Sequence, residues 1–274
     1  MFKLYEDKKR DFDQIIINYF PNGEFENILN YSIEKGKRVR PLILLETYKM
    51  LGGQDISLAE KFALALEFIH NYSLVHDDLP DLDNDNYRRG RETTHYKFGS
   101  DMAILAGDAL MNYAYELVFE SLKDYPNNLN LINAGHVLAE NAGYRGMIGG
   151  QIRDISNDLD STEKMVDMYL NKTCKLFMTA TKVAAYLSNQ EDEVIEEMDR
   201  LGFYIGMAFQ LQDDLLDIEQ DEKIGKLTYI SLEGKEKAIS EMERYTEDAL
   251  EIISKYDNNE FLMSLITYLQ DRNI

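Results

Sequence analysis

The chain has 274 residues, 45% of them hydrophobic, and carries 50 acidic against 29 basic side chains for a formal charge of −21. That length fits one large domain or two small ones, and so acidic a surface disfavours nucleic acid and anionic membranes as partners. The single cysteine, Cys174, excludes an internal disulfide and a cysteine-built zinc site. The opening Met-Phe-Lys-Leu-Tyr-Glu-Asp lacks the apolar stretch of a signal peptide. No uninterrupted apolar run approaches the ~20 residues needed to cross a bilayer. A cytoplasmic protein without membrane insertion is expected.

Helical periodicity dominates from end to end. The spacing predicts helices over residues 6–20, stopped near Pro21, then 25–35 and, after Gly36, 41–51. Ser57-Leu-Ala-Glu60 has capping-box spacing and should start a helix from Leu58 to about Asp78. Phe62, Leu66, Ile69 and Tyr72 make its interior almost wholly apolar, so it is expected to be buried on most sides. Pro80 should break its hydrogen-bond ladder. Further helices are expected at 101–122, 129–145, 162–188, 193–218, 233–255 and 258–270. No run alternates as a strand would, and no linker or internal repeat divides the chain. An all-α, single-domain bundle over 1–274 is the expectation.

Two acidic clusters stand out. Asp77, Asp78, Asp81, Asp83 and Asp85 crowd the end of one apolar helix, followed at once by Arg88 and Arg89; Asp213, Asp214 and Asp217 close another. So many carboxylates repel one another unless some are protonated or a cation lies among them, and oxygen-only ligands favour a hard ion such as Mg²⁺ or Ca²⁺. A single Asp-Asp pair is ordinarily a solvated helix end; two pairs, each closing a strongly apolar helix, argue for a metal-binding role. His70, Ser73 and Asp77 share one face of the first helix. In the second, Gly202, Gly206, Gln210, Asp213 and Asp217 form a stripe whose glycines are expected to leave room for a ligand.

From Asp81, acidic residues fall at positions one, three, five and twelve of an EF-hand loop. Position six is Asn86 rather than glycine, and Arg88 and Arg89 sit where a cation should, so a calcium-sensor reading fails. Lys35-Gly-Lys37-Arg38-Val-Arg40 places four positive charges in six residues. A solvated basic turn is the bland reading, but such groups, with His70, Arg88 and Arg89, suit a multiply charged phosphate.

These segments resemble the trans-isoprenyl (polyprenyl) diphosphate synthases, most of all the bacterial farnesyl and geranylgeranyl diphosphate synthases. The resemblance runs in order through Gly36-Lys-Arg-Val-Arg-Pro41, Glu67-Phe-Ile-His70, His76-Asp-Asp-Leu-Pro-Asp-Leu-Asp83, Arg88-Arg-Gly90 and Leu105-Ala-Gly-Asp-Ala-Leu110. It continues through Gly146-Met-Ile-Gly-Gly-Gln151 with Asp154, Lys172-Thr173 and Phe209-Gln-Leu-Gln-Asp-Asp-Leu-Leu-Asp217. It implies an all-α fold around a central apolar cavity and head-to-tail condensation of isopentenyl diphosphate with dimethylallyl or geranyl diphosphate. It further implies Mg²⁺, three ions to an active site, and a homodimer.

By the same resemblance Asp77, Asp83, Asp213 and Asp217 ligate metal, with Asp78 and Asp214 completing the motifs. Arg88, Lys172 and Lys226 hold the allylic diphosphate; Lys37, Arg40, His70 and Arg89 hold that of isopentenyl diphosphate. Thr173 and Gln210 lie near the developing carbocation. Tyr72, five residues before Asp77, and the adjacent Ser73 set product length, and an aromatic at 72 matches the pattern of bacterial farnesyl synthases. Geranyl or geranylgeranyl diphosphate as product, or a weakly active partner subunit, are the alternatives; a terpene cyclase has no use for the basic turn at 37–40.

The chain departs from the family in three places. Ile224-Gly-Lys226-Leu-Thr-Tyr229 is about a dozen residues shorter than the corresponding loop, which puts Lys226 in doubt. Cys174, followed by Lys175, replaces the glycine after Lys-Thr. Asp81 makes a shorter motif overlapping the longer one; Asp83 is favoured as ligand because Pro80 disrupts the register that would align Asp81 with Asp77.

Overall fold

Apolar residues at helical spacing, with few prolines and glycines to interrupt them, make the chain helical almost throughout in the computed structural model. The structure describes residues 2–17, 19–156 and 158–271, the side chains of Phe2, Gln220, Glu222, Ile224 and Asp271 excepted. The all-α expectation holds. The only paired strands among the described residues are a hairpin of Tyr87–Arg88 (β1) with Arg91–Glu92 (β2), turning through Arg89 and Gly90, which both have positive φ. Short-range twist of this kind favours glycine, and Gly90 supplies it. None of the described helices is long and apolar enough to cross a membrane.

Two compact units emerge. The first takes residues 2–42 and 55–128: α1 (Phe2–Ile16), α2 (Glu24–Ile33), the start of α3 (Val39–Met50), α4 (Ile56–Asp77), the hairpin, α5 (Thr94–Phe98) and α6 (Ser100–Asp124). α4 is its centre and packs on α6. Phe62, Leu66, Ile69 and Tyr72 are all buried, as their pattern predicted, each large apolar side chain contributing roughly 1.5–3 kcal/mol. The start of α4 differs from expectation. Asp55, not Ser57, caps it, its carboxylate accepting from the Leu58 amide at 3.2 Å. An aspartate just ahead of the first turn satisfies an orphan amide there, so the helix begins earlier.

The second unit holds residues 43–54 and 129 onward. It contains α7 (Leu129–Ala142), α8 (Met147–Ser156), α9 (Thr162–Tyr169), α10 (Lys175–Leu187), α11 (Asp192–Leu216), α12 (Ile218–Ile224), α13 (Tyr229–Glu233), α14 (Lys235–Ser254) and α15 (Glu260–Asp271). α11 packs on both α10 and α14. The single helix expected over 162–188 is interrupted by a wide π turn, Leu170–Cys174, in which the Lys175 amide donates five residues back to Leu170. The glycine-containing helix α8, not foreseen, follows the earlier end of α7.

Gly202 and Gly206 have a different use from the one expected. A Cβ on Gly202 would lie 2.4 Å from the Met178 Cα, and one on Gly206 2.7 Å from the Cys174 Cα. Their missing side chains admit α10 and the π turn against α11, and leave no room there for a ligand.

Candidate active site

In the first unit the end of α4 and the loop after it carry the first aspartate motif. Pro80 ends the helix, yet the chain folds back. The Asp83 amide donates to the Asp77 carbonyl at 2.9 Å, and the Asn84 amide to that of Leu79 at 3.0 Å. Asp83 is exposed and Asp77 half-buried, so this turn joins the backbone of residues 77 and 83 and leaves Asp81 on the exposed outer arc. Asp78 points elsewhere. It is buried, and its Oδ1 accepts from Arg88 Nε at 2.5 Å. Burial raises its pKa to about 6, against the pull of Arg88 and with the help of Asp85 and Asp83. Its carboxylate is committed to orienting Arg88, which also reaches Asp85 at 3.3 Å.

Four arginines of this unit act on His70. Burial first, then the charges of Arg40, Arg89, Arg38 and Arg88, hold its imidazole well below the usual range; it is neutral at pH 7, among guanidinium groups. Such a setting suits an anion. Arg89 anchors one guanidinium nitrogen on the Lys35 carbonyl. Lys37 is exposed and its carbonyl accepts from the Tyr5 hydroxyl. Arg38 is a correction to the reading of 35–40 as one solvated or phosphate-facing patch. Its side chain is fully buried, paired with Asp13 at 2.8 Å and Glu67 at 2.7 Å, and donates to the carbonyls of Ile33 and Glu34. Its charge is spent inside the fold.

Tyr72 is buried on α4, its ring edge-on to His76 with centroids 5.8 Å apart. Burial raises its pKa, so it is a neutral phenol. Ser73 turns its hydroxyl back to the His70 carbonyl at 2.9 Å. His76 in turn fits over Gly107, where a Cβ would come within 2.1 Å of its ring.

The second unit holds the other candidates. Asp213 is half-buried and Asp217, capping α11, is exposed. Asp214 is buried and fully engaged: Tyr169 donates its hydroxyl proton to Oδ2, and Gln210 Nε2 donates to Oδ1 at 3.0 Å. Burial raises its pKa to about 6, opposed by these hydrogen bonds and by the charge of Lys226. Gln210 accepts in turn from the Thr173 hydroxyl at 2.7 Å, so Thr173, Gln210 and Asp214 form one chain. The π turn makes this possible. From it Lys172 reaches Asp154 on α8, and Thr173 reaches α11.

Sequence reasoning missed Tyr169 and the pairing of Glu67 with Arg38. Each acts through a partner on a distant helix, which no local spacing reveals. Asp154 was legible only as part of the resemblance.

No group of three or more His, Cys, Asp or Glu side chains among the described residues is placed to hold a metal ion alone. The candidate donors, Asp77 and Asp83 in the first unit and Asp213 and Asp217 in the second, are all carboxylates. They fit Mg²⁺, which keeps several waters and binds through one or two carboxylates plus substrate phosphate oxygens.

Residues 22–255, spanning both units, match the polyprenyl synthetase family model. The farnesyl diphosphate synthase of Micrococcus luteus is 36% identical over 279 residues, covering 95% of this chain and 94% of the relative. The geranylgeranyl diphosphate synthase of Cyanophora paradoxa is also 36% identical, covering 98% and 95%. An apo FPP/GFPP synthase structure from Zymomonas mobilis superposes with a TM-score of 0.89 at 31% identity, over 97% of this chain and 98% of that one.

Proposed function

The chain belongs to the polyprenyl synthetase family and is a trans-prenyltransferase of isoprenoid biosynthesis, and from that premise we propose that it condenses isopentenyl diphosphate with dimethylallyl and geranyl diphosphate to make farnesyl diphosphate. The observation that carries the product assignment is Tyr72, a buried aromatic one helical turn and a half behind Asp77 on α4. At 1.5 Å per residue it lies ~7 Å back along the helix, where it ends the space open to a growing chain. The similarity to the Cyanophora paradoxa enzyme supports a second reading, geranylgeranyl diphosphate.

Each candidate group has a task in this chemistry. Diphosphate is a poor leaving group until its charge is neutralised, and bound Mg²⁺ supplies that neutralisation. Asp77, Asp83, Asp213 and Asp217 would hold the ions. Arg88, fixed by Asp78, and Lys172, fixed by Asp154, present cations to the allylic diphosphate. Lys37, Arg40 and Arg89 bind the diphosphate of isopentenyl diphosphate beside neutral His70, which can donate a hydrogen bond without adding a fourth charge. Thr173 and Gln210, hydrogen-bonded to each other, would lie near the electron-poor allylic carbon. The released diphosphate takes the final proton, since no side-chain base is evident. We assign the enzyme to the cytoplasm and to a homodimer by the same family reading.

Incubation of the purified chain with dimethylallyl and isopentenyl diphosphates and Mg²⁺, followed by sizing of the dephosphorylated alcohol, tests the assignment. Farnesol as the main product supports it; geranylgeraniol selects the second reading.

A further inference from the structure

The short return segment after the second aspartate motif is tied down by a residue with no assigned role. Tyr169, the last residue of α9, is buried, and its hydroxyl makes two hydrogen bonds. It donates to Asp214 Oδ2 and accepts from the backbone amide of Tyr229 at 3.0 Å. Tyr229 is the first residue of α13, and Lys226 lies three residues before it. Lys226 is exposed, its amide donates to the Asp221 carbonyl at 3.0 Å, and its charge acts on Asp214. One phenol therefore joins three helical elements: α9, the aspartate end of α11 and the start of α13.

The local chemistry explains why a hydroxyl is needed. The first amides of a helix have no partner within it, and a buried one must find an acceptor elsewhere. A buried carboxylate needs donors on both oxygens; Gln210 serves one and Tyr169 the other. A phenol hydroxyl can accept from the one and donate to the other through a single atom. Phenylalanine would keep the packing and lose both bonds.

We infer that Tyr169 is a positioning residue that straps the Lys226-bearing segment to the second aspartate motif, so that Lys226 is held ready for the allylic diphosphate. This rests on the prenyltransferase reading for its consequence, and on the hydrogen bonds alone for the strap.

Hydrogen exchange at the Tyr229 amide, in the protein without metal or substrate, reads the strap directly. The bond to Tyr169 is its protection, so slow exchange in the unsubstituted chain is expected, and exchange at least about tenfold faster in Tyr169→Phe. Steady-state kinetics of the same variant should show a severalfold rise in KM for the allylic diphosphate with that for isopentenyl diphosphate unchanged. An unprotected Tyr229 amide in the unsubstituted chain overturns the strap, with no variant needed. Fast exchange in Tyr169→Phe with both KM values unchanged overturns the positioning of Lys226. A chain that exchanges as expected but transfers no prenyl group sinks the functional reading and the substrate role of Lys226 with it, and leaves the strap standing.

Discussion

The backbone amide of Asp83 donates to the carbonyl of Asp77 at 2.9 Å, across a proline that has ended the helix. This turn returns residue 83, and not residue 81, to the backbone of residue 77, which supports the proposal of Asp83 as the ligand. Asp83→Asn should lower kcat by about 100-fold, near 2.7 kcal/mol of transition-state stabilisation, and raise the Mg²⁺ concentration needed for half activity. Asp81→Asn should stay within about threefold of the unsubstituted enzyme, less than 1 kcal/mol. Initial rates over a Mg²⁺ titration decide it; the reverse ranking would make Asp81 the ligand.

Arg38 and Glu67 form an ion pair with both side chains almost wholly out of water. Glu67 also accepts from the Asn71 amide. Removing one member of a buried pair strands the other charge. Glu67→Ala should cost about 3–5 kcal/mol in urea unfolding, whereas a loss below about 1 kcal/mol would show that Asp13 alone compensates Arg38.

His70 gives a pH dependence with a definite sign. In the unfolded chain it takes a proton near pH 6.5, while in the fold burial and four arginines keep it neutral to well below that. Between those values the unfolded state binds more protons, so stability rises as pH climbs toward 6.5 and falls away below it. Melting temperatures of the unsubstituted chain and of His70→Gln should converge as pH drops from about 7.5 to about 5, with the unsubstituted chain losing more. Parallel curves would mean that the imidazole titrates normally.

If Tyr72 ends the chain-elongation space, Tyr72→Ala removes an aromatic wall and should lengthen the main product by at least one isoprene unit. The same truncation of a buried aromatic costs about 3–5 kcal/mol of stability, so product sizing belongs at low temperature. An unchanged distribution would remove Tyr72 as the floor.

The helical class, the buried character of α4 and both aspartate motifs were legible because each is written in local periodicity and composition. What stayed hidden depends on packing between helices far apart in sequence. Gly202 and Gly206 read as space for a ligand, yet they are contact points for Met178 and Cys174, since spacing cannot distinguish an absent side chain facing a cavity from one facing a backbone. The π turn at 170–174 keeps helical composition and changes only hydrogen-bond register. Arg38 looked like its neighbours Lys37 and Arg40 because a charge bears no mark of its burial. Asp78 and Asp214 looked equivalent to Asp77 and Asp213. Burial against Arg88 for one and against Tyr169 with Gln210 for the other marks Asp78 and Asp214 as orienting carboxylates.

Release of diphosphate from geranyl diphosphate by the purified chain alone, followed with and without Mg²⁺ and with and without isopentenyl diphosphate, tests Mg²⁺-assisted prenyl transfer most directly. Release that requires Mg²⁺ and matches incorporation of isopentenyl diphosphate mole for mole is the predicted result. Release without incorporation, as a cyclase would give, or none from the chain on its own, would contradict it.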